Sequence, residues 1–276
     1  MDVSVKDGGF PWFPGEFFMQ TQLYQLHHHL YQEDIPFWSD ITEGCERLLE
    51  LGCGTGRVTI ALGEKGRTVW GLDHDRDQLE FARAELKKRP QTVQDKVHFL
   101  AKDMRSFHLN CDFDILLSPC NTYSLFPEEG RISILECVVE HLKPHGQFSF
   151  SVPNPHQLLK WTREGEEREG GKNSVLEEII QHPVTRNPVQ ISSWVESAPN
   201  GVRWTWHYDH LMPDGKVERQ TVSNLHHDTP VDMYLSELRR YGFSIQRFGD
   251  FDKSSFTKES PYLIVLGQCS KRKPSS

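Results

Sequence analysis

Three glycines lie within one short turn, at positions 52, 54 and 56 of the string Glu50-Leu51-Gly52-Cys53-Gly54-Thr55-Gly56. An apolar segment at 47–51 enters the turn, and a helical pattern that begins near Val58 leaves it. Glycines allow the backbone to turn sharply and place no Cβ between it and a ligand, while the free N–H groups at the start of the next helix attract an anion. The turn therefore predicts a binding site for a nucleotide-like cofactor.

The spacing of the glycines argues against two common nucleotides. The dinucleotide fingerprint G-x-G-x-x-G would place its third glycine at position 57, which is Arg57, whereas the third glycine here comes one residue earlier. A phosphate-binding P-loop needs Gly-Lys-Ser or Gly-Lys-Thr after a longer loop, and no such tripeptide follows the turn. NAD and ATP are therefore poor candidates for the ligand.

Acidic residues follow the next two predicted strands. The strand predicted at 67–73 ends in Asp73, 23 residues after Glu50, where a carboxylate can accept the protons of both ribose hydroxyls. The short strand predicted at 97–101 precedes Asp103. These acids, in this order, predict the remainder of a nucleoside site with Asp73 as the ribose ligand.

The string from Glu50 to Gly56 closely resembles motif I of the class I S-adenosylmethionine-dependent methyltransferases. The resemblance implies that the turn holds the methionine part of the cofactor, S-adenosyl-L-methionine. It also implies that the segment with Leu79 flanks the adenine, that Asp103 accepts a hydrogen bond from the adenine amino group, and that Met104 packs on the ring. The cofactor-binding residues that we predict are Glu50, Gly52, Cys53, Gly54, Gly56, Arg57, Asp73, His74, Leu79, Asp103, Met104 and Ser118.

The fourth predicted strand, 112–118, runs into the segment Pro119-Cys120-Asn121. In the methyltransferases that the chain resembles, this strand end lies beside the transferable methyl group. Enzymes that methylate exocyclic amines of nucleobases often carry Asn/Asp-Pro-Pro-Tyr/Phe there, so Ser-Pro-Cys-Asn counts against methylation of DNA adenine or cytosine N4. Asn121 is either a residue that lines the substrate cavity or an ordinary turn residue. The candidate catalytic residues are Tyr24, Asn121, His156 and His207, with Tyr31 as a further candidate proton acceptor.

Strands and helices alternate from residue 47 to residue 152, which predicts a parallel sheet covered on both faces. Thr229 and Pro230 open a last helix as N-cap and first helical residue, and strands are predicted at 243–248 and 262–269. We therefore predict an α/β protein with a Rossmann-like, doubly wound, seven-stranded, mostly parallel sheet and an antiparallel β-layer inserted after strand five. The predicted divisions are an N-terminal helical and aromatic cap (1–46), the S-adenosylmethionine-binding core (47–152), an inserted β lid (153–228) and a C-terminal helix with two strands that complete the sheet (229–276).

The insertion contains three predicted antiparallel strands, at 190–197, 202–211 and 216–225. The charged run at 163–172 shows no apolar periodicity and is predicted to be a solvated loop. On the second inserted strand, the side chains of Trp204, Trp206, Tyr208 and His210 share one face, which covers either the cavity or an ordinary core. With this insertion the chain resembles the small-molecule methyltransferases related to glycine N-methyltransferase and the amino-sugar N,N-dimethyltransferases.

Charge and composition restrict the kinds of molecule that this protein is expected to bind. The 276 residues carry a net charge of −8, so no global field attracts a polyanion, and a nucleic acid substrate is disfavoured. The six cysteines show no C-x-x-C spacing, which favours free thiols in a reducing cytoplasm, and no apolar stretch is long enough to span a membrane. The consecutive imidazoles at 27–29 point about 100° apart on a helix and cannot readily bind one ion, so no metal site is predicted.

These observations predict a cytoplasmic, S-adenosylmethionine-dependent methyltransferase that transfers a methyl group to a nitrogen or oxygen atom of a small-molecule acceptor. The alternative is a non-catalytic protein of the same fold with a binding or regulatory role, which would keep the glycine turn for folding but lose the acids at 73 and 103. Both acids are present, which favours an enzyme. The identity of the acceptor and the oligomeric state stay open.

Overall fold

A computed structural model describes residues 16–166 and 174–270. The chain divides into two compact units. The larger unit comprises residues 32–157 and 227–276, and the smaller unit comprises residues 1–31 and 158–226. Both units are therefore discontinuous in sequence.

The larger unit contains a seven-stranded sheet in the order β10-β11-β5-β4-β1-β2-β3. Strands β1 to β5 pair in parallel, and β11 runs antiparallel to both β5 and β10. The predicted seven-stranded, mostly parallel sheet is thus confirmed. The elements are α2 (Ile35–Ile41), β1 (Arg47–Leu51), α3 (Arg57–Glu64), β2 (Thr68–Asp73), α4 (Arg76–Lys87), α5 (Gln91–Gln94), β3 (Val97–Ala101), β4 (Phe113–Ser118), a 3-10 helix (Thr122–Leu125), α6 (Glu128–His141), β5 (Leu142–Pro153), α8 (Val231–Arg240), β10 (Phe243–Phe248) and β11 (Tyr262–Cys269).

The order of the strands reverses at β1. The chain proceeds from β1 to β2 and β3 on one side and then returns to β4 on the other side. Open α/β sheets bind their ligands outside the carboxyl ends of the strands at such a point. The carboxyl ends of β1, β2 and β4, at Leu51, Asp73 and Ser118, are therefore the expected place for a site.

Apolar side chains cover both faces of this sheet, as expected where helices pack on both sides of parallel strands. Leu48 of β1 belongs to the core cluster that contains Phe37 and Trp38 of α2. Leu49 belongs to the cluster that contains Phe148 of β5. All five side chains are buried, so the strand ends are held from both faces of the sheet.

The smaller unit contains an antiparallel sheet of four strands in the order β6-β7-β8-β9. Its core joins Leu23 and Leu26 of α1 to Trp206 and Tyr208 of β8. Tyr208 is fully buried and Trp206 is 7% exposed, so this face of β8 covers a core. The elements are α1 (Glu16–Leu30), β6 (Val175–Gln181), β7 (Pro188–Ala198), β8 (Gly201–Leu211) and β9 (Val217–His227), and α7 (Pro155–Glu166) has residues in both units.

The three predicted inserted strands are present as β7, β8 and β9, and β6 is a fourth strand that the sequence analysis does not predict. Val175, Leu176 and Ile179 of β6 are each more than half exposed, and a register shift between Leu176 and Glu178 interrupts the pairing with β7. The strand therefore lacks the alternation by which a half-buried strand is recognised. The prediction of a loop at 163–172 is wrong for residues 163–166, which end α7. Residues 167–172 lie outside the described residues.

The last helix begins one residue later than predicted. Its N-cap is Pro230 rather than Thr229. Thr229 Oγ1 instead accepts a hydrogen bond at 2.9 Å from Arg131, whose buried guanidinium also pairs with Glu237 of α8. The hydroxyl is thus used in a tertiary contact. Within the parts of the chain that the structure describes, no helix is long and apolar enough to cross a membrane.

Candidate functional site

The glycine turn lies between β1 and α3 and is fastened to β2. The backbone N–H groups of Gly52 and Cys53 donate to the carbonyl oxygen of Leu72 at 2.8 and 3.0 Å. Gly54 and Gly56 have φ angles of 52° and 77°. Such angles are strained for a residue with a Cβ, so the turn requires glycine at these positions.

The three glycines of the turn differ in which atoms surround the position that a Cβ would occupy. A Cβ on Gly52 would lie 2.5 Å from Cγ2 of Thr122, and a Cβ on Gly56 would lie 2.6 Å from an aromatic ring of β3. A Cβ on Gly54 would meet the end of the flexible Gln78 side chain, 2.7 Å from its Oε1. Gly52 and Gly56 therefore allow close packing against fixed parts of the protein, whereas the neighbour of Gly54 is the end of a flexible side chain that can move.

Asp73 ends β2 and bonds to the glycine turn. Its Oδ2 accepts a hydrogen bond from the Gly54 N–H at 2.8 Å, and its Oδ1 accepts one from the Asp75 N–H at 2.9 Å. Asp73 is 7% exposed, while the exposed imidazole of His74 has Nδ1 3.4 Å from Oδ1. A carboxylate has roughly four lone-pair sites, so Asp73 can accept two further hydrogen bonds. The residue both ties the turn to β2 and keeps capacity for a pair of hydroxyl groups.

Glu50 is a buried acid directly before the last residue of β1. Its carboxyl accepts a hydrogen bond from the hydroxyl of Thr59 in α3, and the residue is 3% exposed. Burial raises the pKa of Glu50 to about 8, against the opposing effects of Thr59 and Arg57, and Asp34 adds to the rise. The group is therefore largely protonated at neutral pH. A cation placed beside it would favour the ionised form.

Arg57, the first residue of α3, joins three segments of the larger unit. Its Nη1 and Nη2 donate to the two carboxylate oxygens of Asp34, the Nη2–Oδ2 distance being 2.8 Å, and Nη2 also donates to Sγ of Cys120. Trp38 Nε1 donates to Asp34 Oδ2 at 2.9 Å. The side chains of Arg57 and Asp34 are 6% and 1% exposed. The guanidinium of Arg57 thus bonds to protein groups beside the predicted cofactor site.

The turn after β4 carries backbone strain and buried polar atoms. Cys120 and Asn121 have φ angles of 56° and 62°, in the left-handed region that residues with a Cβ seldom adopt. Ser118 Oγ and Asn121 Oδ1 are buried and lack a hydrogen-bond partner among the described residues, as does Ser151 Oγ of β5. Buried polar atoms are normally paired, and strained residues cluster at functional sites. The combination indicates that this turn contacts a ligand.

The residues predicted around the adenine have different surroundings. Leu79 of α4 and Met104 after β3 are buried, with exposures of 0% and 5%. The side chain of Asp103 is 37% exposed and accepts hydrogen bonds from Arg105 Nε and Nη2 at 3.0 and 2.6 Å. These bonds lower the pKa of Asp103. Asp103 is therefore an ionised acceptor at the carboxyl end of β3, and Arg105 sets its orientation.

Two candidate catalytic residues lie in the larger unit. Asn121 belongs to the strained turn after β4. His156 is exposed near the start of α7, where its backbone N–H donates to Asn154 Oδ1 at 3.1 Å. Asn121 is thus beside the strand ends that carry the predicted cofactor residues, and His156 follows the end of β5.

The other two candidates lie in the smaller unit. The hydroxyl of Tyr24 accepts a hydrogen bond from Asn224 Nδ2 at 3.0 Å, and its ring packs on Trp206 with centroids 5.7 Å apart. His207 Nδ1 lies 2.8 Å from Thr221 Oγ1, and its side chain is on the other face of β8 from Trp206. Tyr24 and His207 therefore do not meet within this unit. Tyr31 directly follows α1.

Asp34 and Thr59 are members of the site that the sequence analysis does not predict. Asp34 and Trp38 are four residues apart, a spacing that brings side chains together at the start of a helix. That spacing is a signal for a local hydrogen bond. The pairing of Asp34 with Arg57 has no local signal, because α2 and β1 separate the two residues.

One cluster of possible metal ligands occurs in the described part of the chain, formed by His108, Glu140 and His141. His141 Nε2 accepts a hydrogen bond from the Leu109 N–H at 2.9 Å, and its Nδ1 lies 2.7 Å from the carbonyl oxygen of Cys137. Both ring nitrogens of His141 are therefore engaged by the backbone. We interpret the cluster as a surface contact of His108 with Glu140.

Comparison with known proteins agrees with this geometry. Residues 48–146 match the methyltransferase domain family. The cypemycin N-terminal methyltransferase of Streptomyces sp is 33% identical over 114 residues, which make up 41% of this chain and 44% of that protein. A crystal structure of an S-adenosylmethionine-dependent methyltransferase from Clostridium acetobutylicum ATCC 824 aligns with a TM-score of 0.73 at 17% identity, over 90% of this chain and 100% of that chain.

A further similar structure is CalS10 with S-adenosylmethionine bound, an amino pentose methyltransferase from Micromonospora echinaspora. It aligns with a TM-score of 0.67 at 16% identity, over 90% of this chain and 96% of that chain. At such identities the likeness shows the fold, while the family match covers the segment from β1 into β5 that contains the glycine turn, Asp73 and Asn121. Residues 48–146 are therefore similar to the methyltransferase domain family, and the chain shares its fold with these solved structures of S-adenosylmethionine-dependent methyltransferases.

Proposed function

We propose that this protein transfers the methyl group of S-adenosyl-L-methionine to a nitrogen or oxygen atom of a small-molecule acceptor. The observation that carries the proposal is the arrangement at the carboxyl ends of β1, β2 and β4. There, a glycine at position 54 whose nearest neighbour is a flexible side chain, an acid with spare lone pairs at Asp73 and a buried oxygen of Asn121 with no partner among the described residues lie at the ends of adjacent strands.

The residues at these strand ends fit the parts of the cofactor. Asp73 would accept the ribose hydroxyls, the backbone at Gly54 would contact the methionine part, and Asp103 would accept from the adenine amino group. Glu50 is buried beside the turn and can ionise when a positively charged group approaches. When bound, S-adenosyl-L-methionine supplies a methyl group that its sulfonium already activates.

Little acid or base chemistry is then required of the protein. Most of the acceleration can come from holding the acceptor atom in line with the methyl carbon and the sulfur. Asn121 Oδ1 would accept a hydrogen bond from the acceptor and orient it, since an amide oxygen can only accept. The contacts that hold Cys120 and Asn121 in their left-handed conformation would keep that oxygen in place before the acceptor arrives.

Nitrogen is the acceptor atom that the relatives favour. The cypemycin enzyme is an N-terminal methyltransferase, and CalS10 acts on an amino pentose. The net charge of −8 disfavours a polyanionic acceptor. We therefore propose a small amine as the acceptor, whose nitrogen attacks in its unprotonated form, with the predicted lid at 153–228 contributing to its selection.

Transfer of a labelled methyl group tests the proposal. The protein would be incubated with methyl-labelled S-adenosyl-L-methionine and a panel of amino sugars, short peptides with free N-termini and small amines, each beside its hydroxyl counterpart. Mass spectrometry of the products should find the label on nitrogen. Label on oxygen alone would contradict the choice of nitrogen, and cofactor binding without transfer to a metabolite extract would favour the non-catalytic alternative.

A further inference from the structure

We propose that Asp34 is a positioning residue that acts through Arg57 to hold the turn at Cys120 and Asn121 in its strained conformation. The inference deepens the proposed function, because this turn carries the Asn121 oxygen that is to orient the acceptor. Asp34, Arg57 and the turn all belong to the larger unit.

The orientation of Asp34 is set by the core. Asp34 is 1% exposed and directly precedes α2. Its Oδ2 accepts the hydrogen bond from Nε1 of Trp38, and Trp38 is fully buried in the cluster with Phe37 and Leu48. A core side chain thus fixes where the two carboxylate oxygens point.

Arg57 transmits this orientation. Its guanidinium meets Asp34 through both Nη atoms, and a two-pronged pair of this kind fixes the plane of the guanidinium as well as its position. Each Nη atom carries two hydrogens. Because Nη2 bonds to Asp34 Oδ2 and also to Sγ of Cys120, docking of the guanidinium on Asp34 aims one N–H at the turn.

The turn needs support on both sides, because two successive residues in the left-handed region persist only when their surroundings hold them. At the end of the turn that leads into the 3-10 helix, Thr122 packs against Gly52, and Ser124 Oγ donates to the carbonyl oxygen of Asn121 at 2.7 Å. At Cys120, the supporting contact is the hydrogen bond from Arg57. Cutting the link from Asp34 to Arg57 should therefore loosen the turn locally while the packed side stays in place.

The experiment compares Asp34→Asn with Asp40→Asn, the same chemical change at an exposed position of α2 where Asp40 pairs with Lys253. Two rates are measured on folded protein by peptide mass spectrometry: alkylation of Cys120 by iodoacetamide, and amide hydrogen exchange of residues 118–126. Alkylation of Cys111 serves as the internal reference.

In Asp34→Asn, we expect both rates to rise roughly fivefold, because the side-chain amide nitrogen of Asn cannot accept a hydrogen bond from the guanidinium of Arg57. Asp40→Asn should match the wild type.

Unchanged rates at Cys120 and at 118–126 in folded Asp34→Asn would overturn the proposal. Cys120→Ala tests the same link from its other end if Asp34→Asn does not fold, because it removes the Sγ contact and keeps the buried ion pair. Exchange of 118–126 should then rise while exchange of β5 does not, and equal exchange in both segments would again overturn the proposal. Binding of S-adenosylhomocysteine to the wild type, measured by calorimetry, separates the two ideas: its absence would contradict the proposed function, whereas failure of the positioning link would leave it intact.

Discussion

Replacement of Glu50 by Gln tests how burial acts on the acid that precedes the glycine turn. Burial raises the pKa of Glu50 from 4.5 to about 8. In the unfolded chain the carboxyl loses its proton near pH 4.5, whereas the folded protein keeps the proton until about pH 8. The folded state therefore binds more protons in this window, and stability falls as the pH rises through it.

The magnitude follows from the two pKa values. One pKa unit corresponds to about 1.4 kcal/mol. Because Glu50 ionises in the unfolded chain but not in the folded protein, the free energy of unfolding falls by roughly 3 kcal/mol between pH 5 and pH 8. The amide that replaces the carboxyl in Glu50→Gln has no proton to lose in this range, and its oxygen can still accept from Thr59. The free energy of unfolding of Glu50→Gln, minus that of the wild type, should thus grow by about 3 kcal/mol over this range, on top of any offset that is independent of pH.

Urea unfolding of the cofactor-free proteins at pH 5, 6.5 and 8 measures this difference. Glu46→Gln, at an exposed position just before β1, is the matched control and should stay close to the wild type at each pH. A difference between Glu50→Gln and the wild type that does not change with pH would refute the reasoning. It would mean that folded Glu50 is ionised throughout the range.

Three further substitutions separate ligand contact from packing. Gly54→Val, at a φ of 52°, should weaken binding of S-adenosylhomocysteine by roughly 2 kcal/mol or more, about thirtyfold, in a folded protein; normal affinity by calorimetry would show that the turn does not contact the ligand. Gly56→Ala, whose Cβ would lie 2.6 Å from an aromatic ring, should lower the free energy of unfolding by about 1–3 kcal/mol, and unchanged urea unfolding would contradict this. Trp206→Ala, which removes a buried side chain from the core of the smaller unit, should lower the free energy of unfolding by about 3–5 kcal/mol, and unchanged urea unfolding would contradict this.

Strands of the larger sheet are the elements that sequence predicts best. The predicted bounds of β1, β3, β10 and β11 are those of the structure. β1, β3 and β11 are short, mainly apolar segments, and β10 begins with alternating apolar and polar residues; a glycine, acid or proline lies near each strand, so both its type and its ends can be recognised. By contrast, the sequence predicts β5 only at 147–152, whereas the strand begins at Leu142, ahead of the Pro144-His145-Gly146 segment that interrupts the pattern.

Residues whose roles depend on distant partners are the ones that sequence predicts least. The glycine turn and Asp73 follow from local spacing, and the structure brings them together through the Gly54 hydrogen bond. Nothing in the pattern around Arg57 indicates that its guanidinium pairs with Asp34, since the pairing depends on how α2 packs. Likewise, the orientation of Asp103 depends on Arg105, two residues further along an irregular segment.

Calorimetric titration of the full chain with S-adenosylhomocysteine, beside NAD, tests the central claim most directly. The account predicts saturable binding of S-adenosylhomocysteine, no comparable binding of NAD, and a loss of roughly 2–4 kcal/mol of affinity in Asp73→Ala, which removes two charge-assisted hydrogen bonds to ribose. NAD bound more tightly than S-adenosylhomocysteine, or unchanged affinity in a folded Asp73→Ala variant, would contradict it.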